Sequence, residues 1–479
     1  MKKFINIVIL TGMTLGSLSC NKLLEVDPKQ SIDSNTALGS QEAIDAAVNG
    51  TYARLREVGL YGRDLIAIPE LLADNAINTG AGNRLVGQGI NQAGSHIQTE
   101  TWQYCYYINN QANLILEALD TYDGDEAYEN NIAGQLHFLR ALVYHTLMKA
   151  YAYDPTAIVE PSDRGGVPII NQGVLNTAQI DFTARPTIAE VYDFIYSELD
   201  KAISLLPANS NKIADQTFAS LAAAHALYSR VALYRGDMAK VISEGELAIN
   251  TSGLSLASTD QFVNTWRTDK NPESFFEVAF VLAADHSNTT NESLRATFTT
   301  RMTASSTTTV SHGNVVLSEE LYSQYSENDV RKALIMPGLG SNSSRWEITK
   351  FVSRSGINNI DNVPVIRLPE VILNMAEAYA TPGSAVYNES AARTELNKIR
   401  ERAGIGAATY SGEALFNDII LQRRLELAFE GHRFFDLKRL GRDIIKESGN
   451  VQHGDFRILA NIPVREARPN TQVEQNPGY

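Results

Sequence analysis

Leu421–Gly441, LQRRLELAFEGHRFFDLKRLG, decides how the rest of the chain is read. Leu421, Leu425 and Ala428 fall at i, i+4 and i+7, one face of an amphipathic helix. Further on, Phe429, Phe434, Phe435 and Leu437 alternate with Arg433, Asp436, Lys438 and Arg439. Aromatic side chains interleaved with that many charges predict a tightly packed helix-turn-helix corner. Charges so near a core need partners, because an unpaired buried charge is costly. Arg424, Glu426, Glu430, Arg433 and Asp436 are therefore read as structural, held in internal ion pairs.

The 479 residues leave room for two or three domains or one large helical array. Hydrophobic content of 44% with 20% charge describes a core-forming soluble chain. A net charge of −14 argues against nucleic acid, whose phosphates demand a basic face. It also argues against a polybasic grip on anionic lipid. Lys2 and Lys3 precede a short apolar run from Phe4 to Leu18, and LGSLSC ends at Cys20. This reads as a secretory signal over 1–19, too short to span a membrane comfortably. Small residues just before Cys20 are similar to a bacterial lipobox, which implies cleavage there and acylation of the cysteine. With Cys20 acylated, Cys105 has no disulfide partner and is read as a buried apolar residue.

Residues 20–39 read as an extended tether, and Ser40 caps a first helix with Ile44, Val48 and Leu55 on its apolar face. Residues 40–258 form a first helical region, interrupted at 58–99 by a long irregular insertion in which Pro69–Ile77 forms at most a short helix. Such loops are usually either functional or disordered. Asp74, Asn78, Asn83, Arg84 and His96 there, with nearby Trp102, are candidates for a sugar site: amides, acids and Arg hold hydroxyls while an aromatic face stacks on the ring. The acidic turn TYDGDEAYEN lacks a full calcium-loop pattern and reads as a capped helix-helix turn. No cofactor or metal ligand follows from the sequence, and calcium alone stays open. Thr187 to Glu190 is a capping box. Leu221–Val231 and Val241–Ile249 then form two helices about the Gly236-Asp237 turn, the unit of TPR-like arrays without a strict 34-residue period. Residues 259–363 predict an irregular ligand-side lobe, where FFEVAFVLA reads as a strand and Trp266 and Trp346 are further ligand candidates. Helices resume over 364–479.

Several blocks in this order resemble those of the SusD/RagB family: VPVIRLPEVILNMAEAYA (363–380), LNKIRERAGI (396–405), RRLELAFEGHRFFDLKR and IPVRE…QNPGY (462–479). FLRALVYHTLMKAYAY, GGVPII and ALYSRVALYRGD resemble its central blocks, although 155–163 lengthens one join. The resemblance implies a mainly α, TPR-like scaffold with a loop-rich second lobe. It further implies a lipoprotein anchored by its N-terminal lipid on the exterior of a Bacteroidetes-type outer membrane. There it would capture oligosaccharides for a SusC-type TonB-dependent transporter, held at high effective concentration by its tether. Some members bind peptides, so oligopeptides are the alternative ligand.

An enzyme reading, for example a helical glycoside hydrolase, has less to stand on. Fifty-five acidic residues guarantee chance carboxylate pairs, and no GxSxG or HExxH motif appears. His137 and His145 lie eight apart on one helix, too far for joint metal ligation.

Overall fold

The computed structural model describes residues 38–97, 99–208, 215–280, 292–353 and 359–479; the signal segment, Cys20 and the tether up to residue 37 lie outside them. Ser40 Oγ accepts from the Ala43 amide at 3.3 Å and starts α1, Gln41–Ala53. After α2, Asp64–Leu72, come α3, Thr99–Leu119, and α4, Glu126–Tyr151. Asp125 caps α4 by accepting from Tyr128 N at 3.1 Å, so the acidic turn serves a helix start. The Thr187–Glu190 capping box opens α5, Ile188–Leu205. The next hairpin pairs α6, Leu221–Arg235, with α7, Met238–Ser252. From α3 to α7 each helix packs on the next. The outcome is the mainly helical, TPR-like scaffold.

The chain then closes on itself through α8, Leu368–Ala380, α9, Glu389–Arg402, and α10, Gly412–Glu426. Helix α8 packs against α7, α9 and α10. A Cβ at Gly245 of α7 would stand 2.7 Å from Met375 Sδ of α8, so only a small residue allows this approach.

Two small sheets join the loop-rich regions to the helices. One is antiparallel, with order β1-β3-β5-β4: β1 is Ala76–Asn78, β3 Val315–Leu317, β4 Ile335–Pro337 and β5 Trp346–Ile348. The other pairs β2, Ser274–Val278, with β6, Val363–Arg367. Phe276 of β2 lies edge-on to Phe138 of α4 at 5.1 Å, so one core runs from the helices into the loop-rich part. This corrects two expectations. A lobe boundary at 363/364 would cut β6, and the 58–99 insertion is not an irregular loop. Every residue of α2 is buried, and β1 carries the insertion into the sheet. Pro69 read as a helix start, whereas the helix begins five residues earlier and runs through it.

The corner at Leu421–Gly441 is the clasp. Helix α10 ends at Glu426, the chain turns through Phe429 (φ 62°) and Gly431 (φ 82°), and α11 spans Arg433–Arg439. Gly431 lies against α2: its amide donates to Glu70 Oε1 at 2.9 Å, and any Cβ there would overlap the Leu65 carbonyl. Pro69, having no N–H, cannot bond that same carbonyl. Around the turn the charges interlock. Glu426 meets Arg402 at 2.6 Å and Arg367 at 3.2 Å. Glu430 meets Arg367 and Lys350, each at 2.6 Å. Asp436 accepts from Arg423 Nε at 2.9 Å and pairs with Arg439 at 2.8 Å. Arg433 chelates Asp74 with two contacts of 2.7 Å, and Arg424 bonds Asn75 at 2.7 Å and Glu320 at 2.5 Å. Burial opposes the charge on Glu426, but Arg402 and Arg367 hold its carboxyl well below the usual range.

Candidate functional site

Where the insertion meets the start of α3, an open cleft of about 590 Å³ lies in the surface. Its walls come from the Val58–Gly62 turn, the first residue of α2, the loop 82–88 and the opening turns of α3, with Glu292 reaching in from the loop-rich part. The local sequence explains the fit. A Cβ at Gly59 would lie 2.7 Å from Glu100 Cβ, and Thr101 donates to Gly59 O at 2.5 Å, so the turn sits directly on α3. Glu100 and Tyr104, four residues apart, share the helix face lining the cleft.

The cleft is polar. Arg63 and Arg84 both pair with the Glu292 carboxylate, and Arg63 Nε also donates to Asp64 Oδ1 at 2.7 Å. Glu57, Asp64, Glu100 and Glu292 face these two guanidiniums, so carboxylates outnumber cations. Burial pushes the Asp64 carboxyl up to about 6, against the pull of Arg63. Burial and the neighbouring Glu57 raise the Tyr104 phenol. Such a wall offers forked donors, carboxylate acceptors, the Gln88 amide and one phenol, a set suited to hydroxyl-rich ligands. Among the described residues, no group of three or more His, Cys, Asp or Glu is arranged to hold a metal ion.

Of the residues singled out from sequence, Arg84 lines this cleft. Asn78 holds its rim, donating to Arg84 O and accepting from Gly80 N, each at 2.7 Å, so both ends of its amide are engaged. Asn83 is an exposed turn residue at φ 54° and does not line the cleft. Three others are corrections. Asp74 is held by Arg433 and Arg424 in the clasp. His96 is buried edge-on against Phe434 at 5.0 Å, and burial drops its pKa to about 3, so it is neutral packing. Trp266 is 2% exposed, with Lys350 and Arg367 at 4.8 and 5.1 Å from its ring. It solvates the cations of the clasp. Trp102 is equally buried, edge-on to Tyr151 at 4.9 Å, and lies not on this cleft but on the wall of a second cavity. Trp346 is half-buried outside the cleft, and Tyr322 stacks on its face at 3.9 Å.

Sequence reasoning missed Glu57, Arg63, Asp64, Gln88, Glu100, Tyr104 and Glu292. Arg63-Asp64 follows a glycine-flanked turn and was within reach; Glu292 is remote in sequence and carried no local signal.

Two family models match the chain: one described as "SusD family" over residues 333–479, the other as "Starch-binding associating with outer membrane" over residues 22–233. The chain belongs to the SusD/RagB family. SusD-like protein P2 of Formosa agariphila is 25% identical, with all of both chains covered. A SusD superfamily protein from Bacteroides thetaiotaomicron superposes with a TM-score of 0.79 at 25% identity, covering 91% of this chain and 99% of that one. A laminarin-binding SusD-like protein shares the fold at 23% identity and TM-score 0.75, covering 92% of this chain and all of its own. In this SusD-like chain the corner at 421–441 is scaffold, and the cleft, apart from Glu292, lies within the stretch that the second model matches.

Proposed function

We propose that this SusD-like chain is a non-catalytic surface receptor. It captures oligosaccharides in the cleft at Arg63 and Arg84 and passes them to a SusC-type TonB-dependent transporter. Cys20, once acylated, tethers it on the exterior of the outer membrane. The observation that carries this reading is the cleft itself: an open, hydroxyl-matching wall set on a rigid helical frame. A family described as starch-binding and outer-membrane associated supports it. The excess of carboxylates favours a second reading, in which basic side chains of an oligopeptide occupy the same cleft.

Titration calorimetry against plant, algal and host oligosaccharides, then neutral and basic peptides, tests the proposal. Binding of at least one glycan is expected, about tenfold weaker in Arg84→Ala, or about 1.4 kcal/mol. A β-barrel partner should co-purify. Binding of basic peptides alone would select the second reading. Sustained turnover of a bound glycan would overturn the non-catalytic assignment.

A further inference from the structure

Helix α3 has a second face. Trp102, Tyr106 and Asn109 line another cavity of about 550 Å³, closed by residues 168–183 and by the C-terminal coil near Asn470. Its wall is fixed by side chains. Tyr106 donates to Pro168 O at 2.7 Å, and Asn109 and Asn113 donate to Ile170 O at 2.8 and 3.0 Å. Asn110 binds both the N–H and the C=O of Val174. On the opposite side Asn470 donates to Thr183 O at 2.9 Å and Gln472 to Phe182 O at 2.6 Å. The cavity is therefore preformed, within the size range of small-ligand sites.

Two features point to an occupant. Tyr107 and Phe182 line the cavity with 46% and 44% of their surface exposed, within a lining that is mostly apolar. Ile180, 45% exposed, adds a third large apolar side chain to the same wall. The remaining polar lining is mostly amide, from Asn110, Asn171, Gln172 and Gln179, joined by the carboxylates of Asp181 and Glu466. Among the described residues no Lys or Arg lines it, so nothing there would hold an anion.

We propose that this cavity is a second carbohydrate site, separate from the cleft, which takes an uncharged sugar ring or short neutral oligosaccharide. The apolar ring face stacks on Tyr107 or Phe182, and hydroxyls bond the Gln172 amide and the Asp181 carboxylate of the same wall. Where the cleft sets two guanidiniums among four carboxylates, this site sets aromatics and amides beside two carboxylates and no cation. The two therefore select different parts of one glycan or different glycans.

Hydrogen exchange on the full chain, with and without maltohexaose or laminarihexaose, tests this. Slowed exchange in 104–111 and 168–183 is expected with at least one probe. It should persist in Arg84→Ala and disappear in the Tyr107→Ala/Phe182→Ala variant, whose surface substitutions leave the melting temperature unchanged and weaken that binding at least tenfold. Protection confined to 57–64 and 84–88 would overturn the proposal while leaving the cleft reading intact. So would protection of 168–183 by an oligopeptide but by neither hexasaccharide, and so would no protection with either sugar at millimolar concentration.

Discussion

The clasp and the cleft both gather charge, and they treat it in opposite ways. In the clasp Glu426 is fully buried, and Arg367, Arg402 and Arg331 surround it within 3.7 Å. In the cleft the Glu292 side chain keeps 29% of its surface exposed, and four carboxylates share two guanidiniums. Dry, saturated pairing fixes geometry; wet, unbalanced pairing leaves donors and acceptors that an incoming ligand can exchange into. Motif residues with many charges therefore mark the frame here, and the proposed binding wall lies where the sequence offers no named motif.

The largest way to break this contrast is Glu426→Ala. Three guanidiniums would lose their shared counter-charge in the interior, which costs about 3–5 kcal/mol. The urea midpoint and melting temperature should fall accordingly, while Arg84→Ala moves stability by under about 1 kcal/mol, as partly exposed pairs do. Equal losses from both substitutions would erase the distinction between frame and wall.

Arg433→Ala comes next. It strips Asp74 of both 2.7 Å contacts and leaves Arg424 at 3.4 Å as partial compensation. A loss of about 2–3 kcal/mol is expected because the partner is mostly but not wholly buried, with 14% side-chain exposure. Glycan affinity of the folded variant should be unchanged. Weaker binding at an unaltered melting temperature would move Asp74 and Arg433 from the clasp to the ligand.

Much of the frame was legible because its signals are local. Ser40, Asp125 and Thr187 cap the helices that their positions announce, and Gly236-Asp237 turns the α6–α7 hairpin. Charge embedded among aromatics at 429–439 announced partners without naming them; Arg367, Arg402 and Glu273 come from other elements. The cleft was less legible for the same reason. Its wall unites Glu57, Arg84, Glu100 and Glu292, and only folding brings Glu292 to the two arginines. Trp266 misled because an aromatic beside polar loops has the same composition whether it faces a ligand or two buried cations.

The smallest effect probes the floor of the cleft. Asp64 is 2% exposed, and burial lifts its carboxyl to about 6, above the ordinary aspartate value. A raised folded-state pKa means that the fold takes up this proton before the unfolded chain does. The stabilisation is complete below the unfolded value near 4 and is lost as pH rises through about 6. Asp64→Asn removes that response and retains a carbonyl for Arg63. Relative to the parent, the variant should therefore lose about 1.4 kcal/mol of stability per pH unit of acidification between 6 and 4. Melting temperatures of the two proteins across that interval give the slope difference directly. Parallel curves would mean that Asp64 titrates as an ordinary solvated acid, with water at the base of the cleft; diverging curves would make it a desolvated acceptor whose proton a ligand hydroxyl can replace above pH 6.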